Sequence, residues 1–314
     1  MAFLRVRIGL LRVWMGYYPD PKGLFLGYCV LWKFKPLGSV GYILYLCEKI
    51  IGFNPRGESV IIAAMLNVLF GLIGLLVGGL LNVLADDLPR RERPSAPHCP
   101  NPECDHVYGP AGWLALGRRL QGGGRCPACG QMPRRRWAWV EGGTAVLFAC
   151  LPWLIDTPIT LAVYALFIAV LILIIIIDLE NRLILDVVTL PMTVLALLFS
   201  LVLPGINFIS ALLGAVLGLA LFLMIYWVAK VTFGPGAIGQ GDIKLAMLMG
   251  AMLGVPHILI ALMMGIFLGG IISAVLLGAR LVTRDAYLPY GQYLAIAAIV
   301  MLLWGQTITD WLLA

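Results

Sequence analysis

Two aspartates stand where an apolar chain turns polar. Asp178 closes the run "LILIIIIDLENRLILD" (171–186), and Asp242 follows the glycine-rich stretch "FGPGAIGQGD" (233–242), after which the chain turns apolar again. An ionised carboxylate is disfavoured at the centre of a bilayer, by about 2.5–3.5 kcal/mol on insertion scales, and by less near the boundary. Each aspartate alone is therefore compatible with a solvated helix end, and for Asp178 the following Glu180, Arg182 and Asp186 strengthen that reading. For Asp242 the preceding Gly239 and Gly241 point the other way, because glycine lets a substrate or a second helix come close. Two carboxylates brought together in a partly desolvated cavity share one proton. One then activates a water while the other protonates a carbonyl oxygen and a leaving amine, which is peptide hydrolysis by an aspartate pair without a metal.

Such a pair needs elements that bring 178 and 242 to one face of a membrane. The chain has 314 residues, 61% of them hydrophobic and 12% charged, which excludes an ordinary soluble domain. Apolar stretches fall at about 60–84, 137–155, 159–177, 186–203, 208–229, 243–256, 258–279 and 288–312, so an all-α polytopic protein with about eight transmembrane helices is expected. When the loops are laid alternately on two sides, 85–136, 178–185, 230–242 and 280–287 share one side and hold every Lys and Arg after residue 58 except Lys244, just inside the next span; the eight basic residues of 1–58 would fall on the other side if no further span precedes residue 60. The short connections at 156–158, 204–206 and 256–257 hold no Lys or Arg. By the positive-inside rule the basic side is cytoplasmic, and both aspartates lie on it. The formal net charge of +6 is then a topological signal and gives no footprint for nucleic acid.

Four domains follow: an N-terminal extension (1–58), a first membrane helix (59–84), a cytoplasmic insert (85–136) and a membrane domain (137–314). The extension begins with Arg5, Arg7 and Arg12 and no clean apolar core, so it is not read as a cleavable signal. Its segment 38–53 has the amphipathic mix of a stretch that crosses the membrane or lies along it. The insert carries two cysteine pairs, "CPNPEC" (Cys99, Cys104) and "CPAC" (Cys126, Cys129). Paired thiolates on turns suit tetrahedral zinc in a closed structural site. A reducing compartment favours metal over disulfides. His98 and His106 flank the first pair and could replace a cysteine, and four unligated thiols remain the plainer alternative.

The pieces together resemble the type IV prepilin peptidases, membrane aspartic proteases of the Gly-x-Gly-Asp class. "GGLLNVLADDLP" (78–89), the two cysteine pairs, "WVEGGTAVLF" (139–148), "IDLENRLILDVVTLP" (177–191), "GQGDIKLAMLMGAMLG" (239–254) and "PYGQYLA" (289–295) follow in the family order. Leu185 departs from it, standing where the family usually has proline. The resemblance implies Asp178 and Asp242 as the catalytic pair, with Gly239 and Gly241 in the active-site loop. It implies Cys99, Cys104, Cys126 and Cys129 as structural zinc ligands. It also implies prepilin or pseudopilin substrates cut on the cytoplasmic side of the inner membrane, and N-methylation of the product with S-adenosylmethionine. Glu141 is a candidate for methyl transfer or support, and a solvated interface glutamate is as good a reading of it. Asp186, eight residues beyond Asp178, is a second candidate for the first aspartate, expected rather to support the structure.

Two other readings compete. An ion-coupled transporter would use Asp178 and Asp242 as proton or cation sites, although the acids lie toward one face instead of the midplane. A zinc-knuckle scaffold would recruit a partner through 85–136 and leaves the glycine-rich aspartate loop unexplained. Nothing in the sequence fixes an oligomeric state.

Overall fold

The computed structural model describes residues 3–8, 11–16, 60–90, 96–281 and 290–313, without positions 100, 102, 105, 110, 111, 123, 133 and 235–238. The chain divides into two compact units, Met1–Leu66 and Asn67–Ala314. In the first, β1 (Phe3–Ile8) and β2 (Leu11–Gly16) pair antiparallel, Phe3 opposite Gly16 and Ile8 opposite Leu11. The expectation for 38–53 lies outside the described residues. Apart from this hairpin and a single bridge between His98 and Val107, regular structure among the described residues is helical.

The helices are α1 (Val60–Asp87), α2 (Ala115–Gly122), α3 (Arg135–Leu154), α4 (Pro158–Asn181), α5 (Asp186–Phe199), α6 (Phe208–Phe233), α7 (Gln240–Leu253), α8 (His257–Gly278) and α9 (Gly291–Leu313). Each expected apolar stretch is helical, but the count of eight spans is not carried by length and composition. Among the described residues five segments are long and apolar enough to cross a membrane: Ala64–Arg90, Pro158–Asn181, Phe208–Thr232, His257–Gly278 and Gly291–Leu312. Helices α5 and α7 have 14 residues each. At 1.5 Å per residue that is about 21 Å, short of a hydrocarbon core of about 30 Å. Helix α3 has 20 residues but opens on Arg135 and Arg136 and carries Glu141.

Helices α4 and α7 form the centre, apolar on every side and correspondingly enclosed. Phe167, Ile168 and Leu171 of α4 and Leu245, Ala246, Leu248 and Met249 of α7 are fully buried. Pro158 starts α4 in the first turn, where its missing N–H costs nothing. Arg182, in the left-handed region at φ 53°, ends it and returns its N–H to Asp178 O at 2.9 Å. Asp178 thus sits in the last turn of the most buried span. Asp242 sits in the first turn of α7, which Gly239 caps.

The approach of α6 to α7 is set by glycines. A Cβ on Gly214 would run into Gly250 O and come within 2.9 Å of Gly254 Cα, one on Gly218 would run into Ala246 O, and one on Gly250 into Gly214 O. Apolar side chains gain little by leaving lipid, so membrane helices hold together by close backbone packing of this kind. Gly250→Leu is expected to force the pair apart at a cost at or above about 3 kcal/mol, the upper end for overpacking. The check is loss of the monodisperse folded peak and of the thermal transition in detergent.

Candidate active site and metal centre

The α4–α5 connection, the start of α7 and the start of α9 meet around Ile184. A Cβ on Gly241 would lie 2.7 Å from Ile184 Cβ, and one on Gly291 would lie 2.8 Å from Ile184 Cδ1 and 3.0 Å from Asp178 Oδ2. The two glycines let α7 and α9 close on the end of α4 from either side. Gly239 has a different role: its φ of −71° is open to any residue, so no glycine-specific conformation is needed there.

Asp178 and Asp242 are each only 4% exposed, and their carboxylates are close enough to interact electrostatically. Asp178 Oδ2 accepts the Gln292 N–H at 2.9 Å, and the Gly291 N–H is also directed at the carboxylate. These are first-turn amides of α9, which have no partner within their own helix. Asp178 therefore serves as the acceptor at a helix N-terminus, a place that favours a carboxylate. Asp242 accepts from the Gly239 N–H. Asp186 lies elsewhere: both its oxygens are 2.6 Å from Lys244 Nζ, and its side chain is half exposed, tying α5 to α7.

In the insert the four cysteine sulfurs all lie within 4.8 Å of one another. Cys99 Sγ is 3.5 Å from Cys129 Sγ, and Cys104 Sγ is 3.9 Å from Cys126 Sγ. Four sulfurs at about 2.3 Å from one zinc would stand about 3.8 Å apart, so the set fits that ion. Turn hydrogen bonds shape both knuckles: Cys104 N–H to Asn101 O at 3.0 Å, and Gly130 N–H to Cys126 O at 2.8 Å. Burial pushes the Cys99 thiol up to about 12. Burial also opposes the Cys126 thiolate, but the Cys129 and Ala128 N–H groups and the neighbouring thiols outweigh it and bring Cys126 down to about 6. Neither flanking histidine joins the cluster. His98 Nε2 lies 3.8 Å from Asp87 Oδ1, and His106 packs edge-on to Tyr108.

Glu141 is 1% exposed, not solvated, and its two oxygens accept the Ala115 N–H at 2.8 Å and the Leu116 N–H at 3.0 Å. It closes the N-terminus of α2 and so binds the insert to α3. Arg118 of α2 is buried between the rings of Tyr108 and Trp137, 4.0 and 4.5 Å from their centroids. Asn82 of α1 donates to Trp137 O at 3.0 Å, and Trp137 Nε1 donates to Asp86 at 3.0 Å. Glu141→Ala is expected to leave a buried amide at Ala115 unpaired at about 1–3 kcal/mol, and a part-buried one at Leu116 at less. Hydrogen exchange should quicken at Ala115 and Leu116 while α6 and α7 keep their protection.

A family model described as "Type IV leader peptidase family" matches residues 165–274, a span that holds both aspartates. A prepilin leader peptidase/N-methyltransferase of Aeromonas salmonicida is 33% identical over 214 residues, covering 68% of this chain and 73% of the relative. The chain belongs to the type IV leader peptidase family. Proteins of the same name from Pseudomonas aeruginosa, 28% identical over 261 residues (76% of this chain, 90% of the relative), and Pseudomonas putida, 30% identical over 267 residues (76% and 90%), extend the likeness. No solved structure matches.

Within this leader-peptidase chain the structure brings Asp178 and Asp242 together and gathers the four cysteines. It sets Asp186 and Glu141 apart from the pair, each with its own partners. Sequence reasoning missed Gln292 and Ile184. Gln292 acts through its main chain, which leaves no side-chain signature; the signal on offer was Gly291 opening the last span behind "PY", a small residue where a helix N-terminus must come close to something.

Proposed function

We propose that the chain is a membrane aspartic endopeptidase that removes the short basic leader of type IV prepilin-like substrates at the cytoplasmic face of the inner membrane. The observation that carries this reading is the buried pairing of Asp178 with Asp242 inside the leader-peptidase region. The pair shares one proton. One carboxylate accepts a proton from water as its oxygen attacks the scissile carbonyl, and the other gives its proton to the carbonyl oxygen. The tetrahedral intermediate then collapses, the C–N bond breaks as the proton held by the first carboxylate passes to the leaving amine, and the second carboxylate takes back a hydroxyl proton as the carbonyl re-forms. The Gly291 and Gln292 amides hold Asp178 in place through the cycle, and Gly239 does the same for Asp242. Zinc, held by Cys99, Cys104, Cys126 and Cys129, would have no open position and would fold the insert without entering the reaction.

The relatives' names add N-methyl transfer, whose donor in the family is S-adenosylmethionine. The cavity whose lining includes Asn82, His98, Arg118, Trp137 and Glu141 has an empty volume of about 280 Å³, open space at its mouth included. That is below the floor of roughly 300 Å³ for pockets that enclose a drug-sized ligand. The residues around this cavity leave too little space to enclose the donor. The test is incubation of the purified full chain in proteoliposomes with a prepilin and S-adenosylmethionine, with product masses read out. Cleavage after the basic leader supports the peptidase, and a further gain of one methyl group would assign the second activity. An intact prepilin with a folded enzyme overturns the reading.

A further inference from the structure

Helices α3 and α4 are joined by only three residues, 155–157, yet an open groove of about 1,000 Å³, counting the space at its mouth, separates them. Val140, Gly143, Thr144 and Leu147 form its α3 wall, at the i, i+3, i+4, i+7 spacing of a single helix face, and Ile172 and Ile176 face them from α4. The other side of α3 is already taken by α1. A Cβ on Gly74 would lie 2.7 Å from Phe148 Cβ, and one on Gly78 2.7 Å from Glu141 Cα.

Gly143 is a feature of the groove wall that no neighbour among the described residues uses. A Cβ on Gly143 would meet nothing within 4 Å. Glycine is a poor helix former, and in membranes its use is to let another helix approach closely. A lipid tail requires no glycine; a helix, with its backbone close to the wall, uses one.

The place and length of the groove suit one occupant. Its rim is the ion pair of Arg136 with Glu180, and Glu180 is two residues beyond Asp178. From Arg136 to Leu147 the wall is about 16 Å long at helical rise, roughly half the hydrocarbon thickness. It receives three turns of a helix from the rim downward and not a full span. At 100° per residue, Asp178 faces about a third of a turn away from the groove side of α4. A chain leaving the top of a helix in the groove must cross the end of α4 to reach the pair.

We propose that this groove seats the first turns of the substrate's apolar helix and so delivers the leader junction to Asp178 and Asp242. The proposal rests on the leader-peptidase reading. Filling the groove is sterically permitted at Gly143, so Gly143→Trp in the full chain in proteoliposomes is the test. It is expected to raise KM for a full-length prepilin about tenfold with kcat little changed. A short leader peptide lacking the apolar helix should be affected about tenfold less. A photoreactive residue in place of Leu147 in the otherwise native chain should cross-link to the prepilin within its apolar segment, and this arm holds even if Gly143→Trp fails to fold. Cross-links to lipid or to a second copy of the chain alone, or a KM unmoved by Gly143→Trp, would overturn the groove while cleavage continues. Absence of cleavage by the wild type would overturn the peptidase reading and the groove with it.

Discussion

Asp178→Asn and Asp242→Asn are each expected to lower leader cleavage by about 1,000-fold or more, within the range that positioned acid–base groups contribute. Asparagine is the informative change at 178. Its amide oxygen still accepts the Gln292 N–H, so the α4–α9 contact survives, whereas alanine would strand that buried amide. Thermal unfolding of both variants should stay close to wild type. Because one member of the pair must carry the proton and the other must lack it, the wild-type rate should pass through a maximum in pH, with limits that belong to the pair. Cleavage near the wild-type rate by either folded asparagine variant would remove the pair from the mechanism. Asp186→Asn, by contrast, breaks the half-exposed pair with Lys244, and such pairs contribute about 0–1 kcal/mol. A modest change there beside a large one at 178 separates the two candidates for the first aspartate.

The parts of this site that were legible in the sequence are those whose signal is a side chain breaking a pattern. Asp178 interrupts an isoleucine run, Asp242 stands behind two glycines, and four cysteines stand in two pairs; each is an expensive or reactive group in an unusual setting. What stayed hidden depends on which backbone arrives next to which group. Gly241 reads in the sequence as room for a substrate or a second helix, and the structure gives it Ile184 of the α4–α5 connection as the close neighbour. Glu141 at a membrane edge reads equally well as a solvated acid. Its burial follows from α2 folding back onto α3, and α2 lies 25 and 26 residues earlier in the chain at the atoms concerned. The span count fails for a related reason. Apolar content alone cannot tell a crossing helix from α5, which is too short to span, or from α7, which is equally short and enclosed by neighbours along much of its length.

The insert sets the second large expectation, because it has little else to fold on. Its compact apolar cluster consists of Tyr108 and Ala115 against Trp137 at the start of α3. A core of that size does not stabilise some fifty residues. A structural zinc contributes about 10–16 kcal/mol of apparent free energy in comparable small domains. Stripping the metal, or changing both Cys99 and Cys126 to serine, is expected to abolish one bound zinc per chain and to expose the amides of 96–134 to rapid exchange. Cleavage should fall far less than in the aspartate variants, because Asp178 and Asp242 take their hydrogen bonds from Gly239, Gly291 and Gln292, none of which belongs to the insert. Glu141 makes the two outcomes separable. If the metal-free insert keeps its exchange protection, the thiols are an unligated cluster, and α2 is held to α3 by the Glu141 cap and the stacked Arg118 alone.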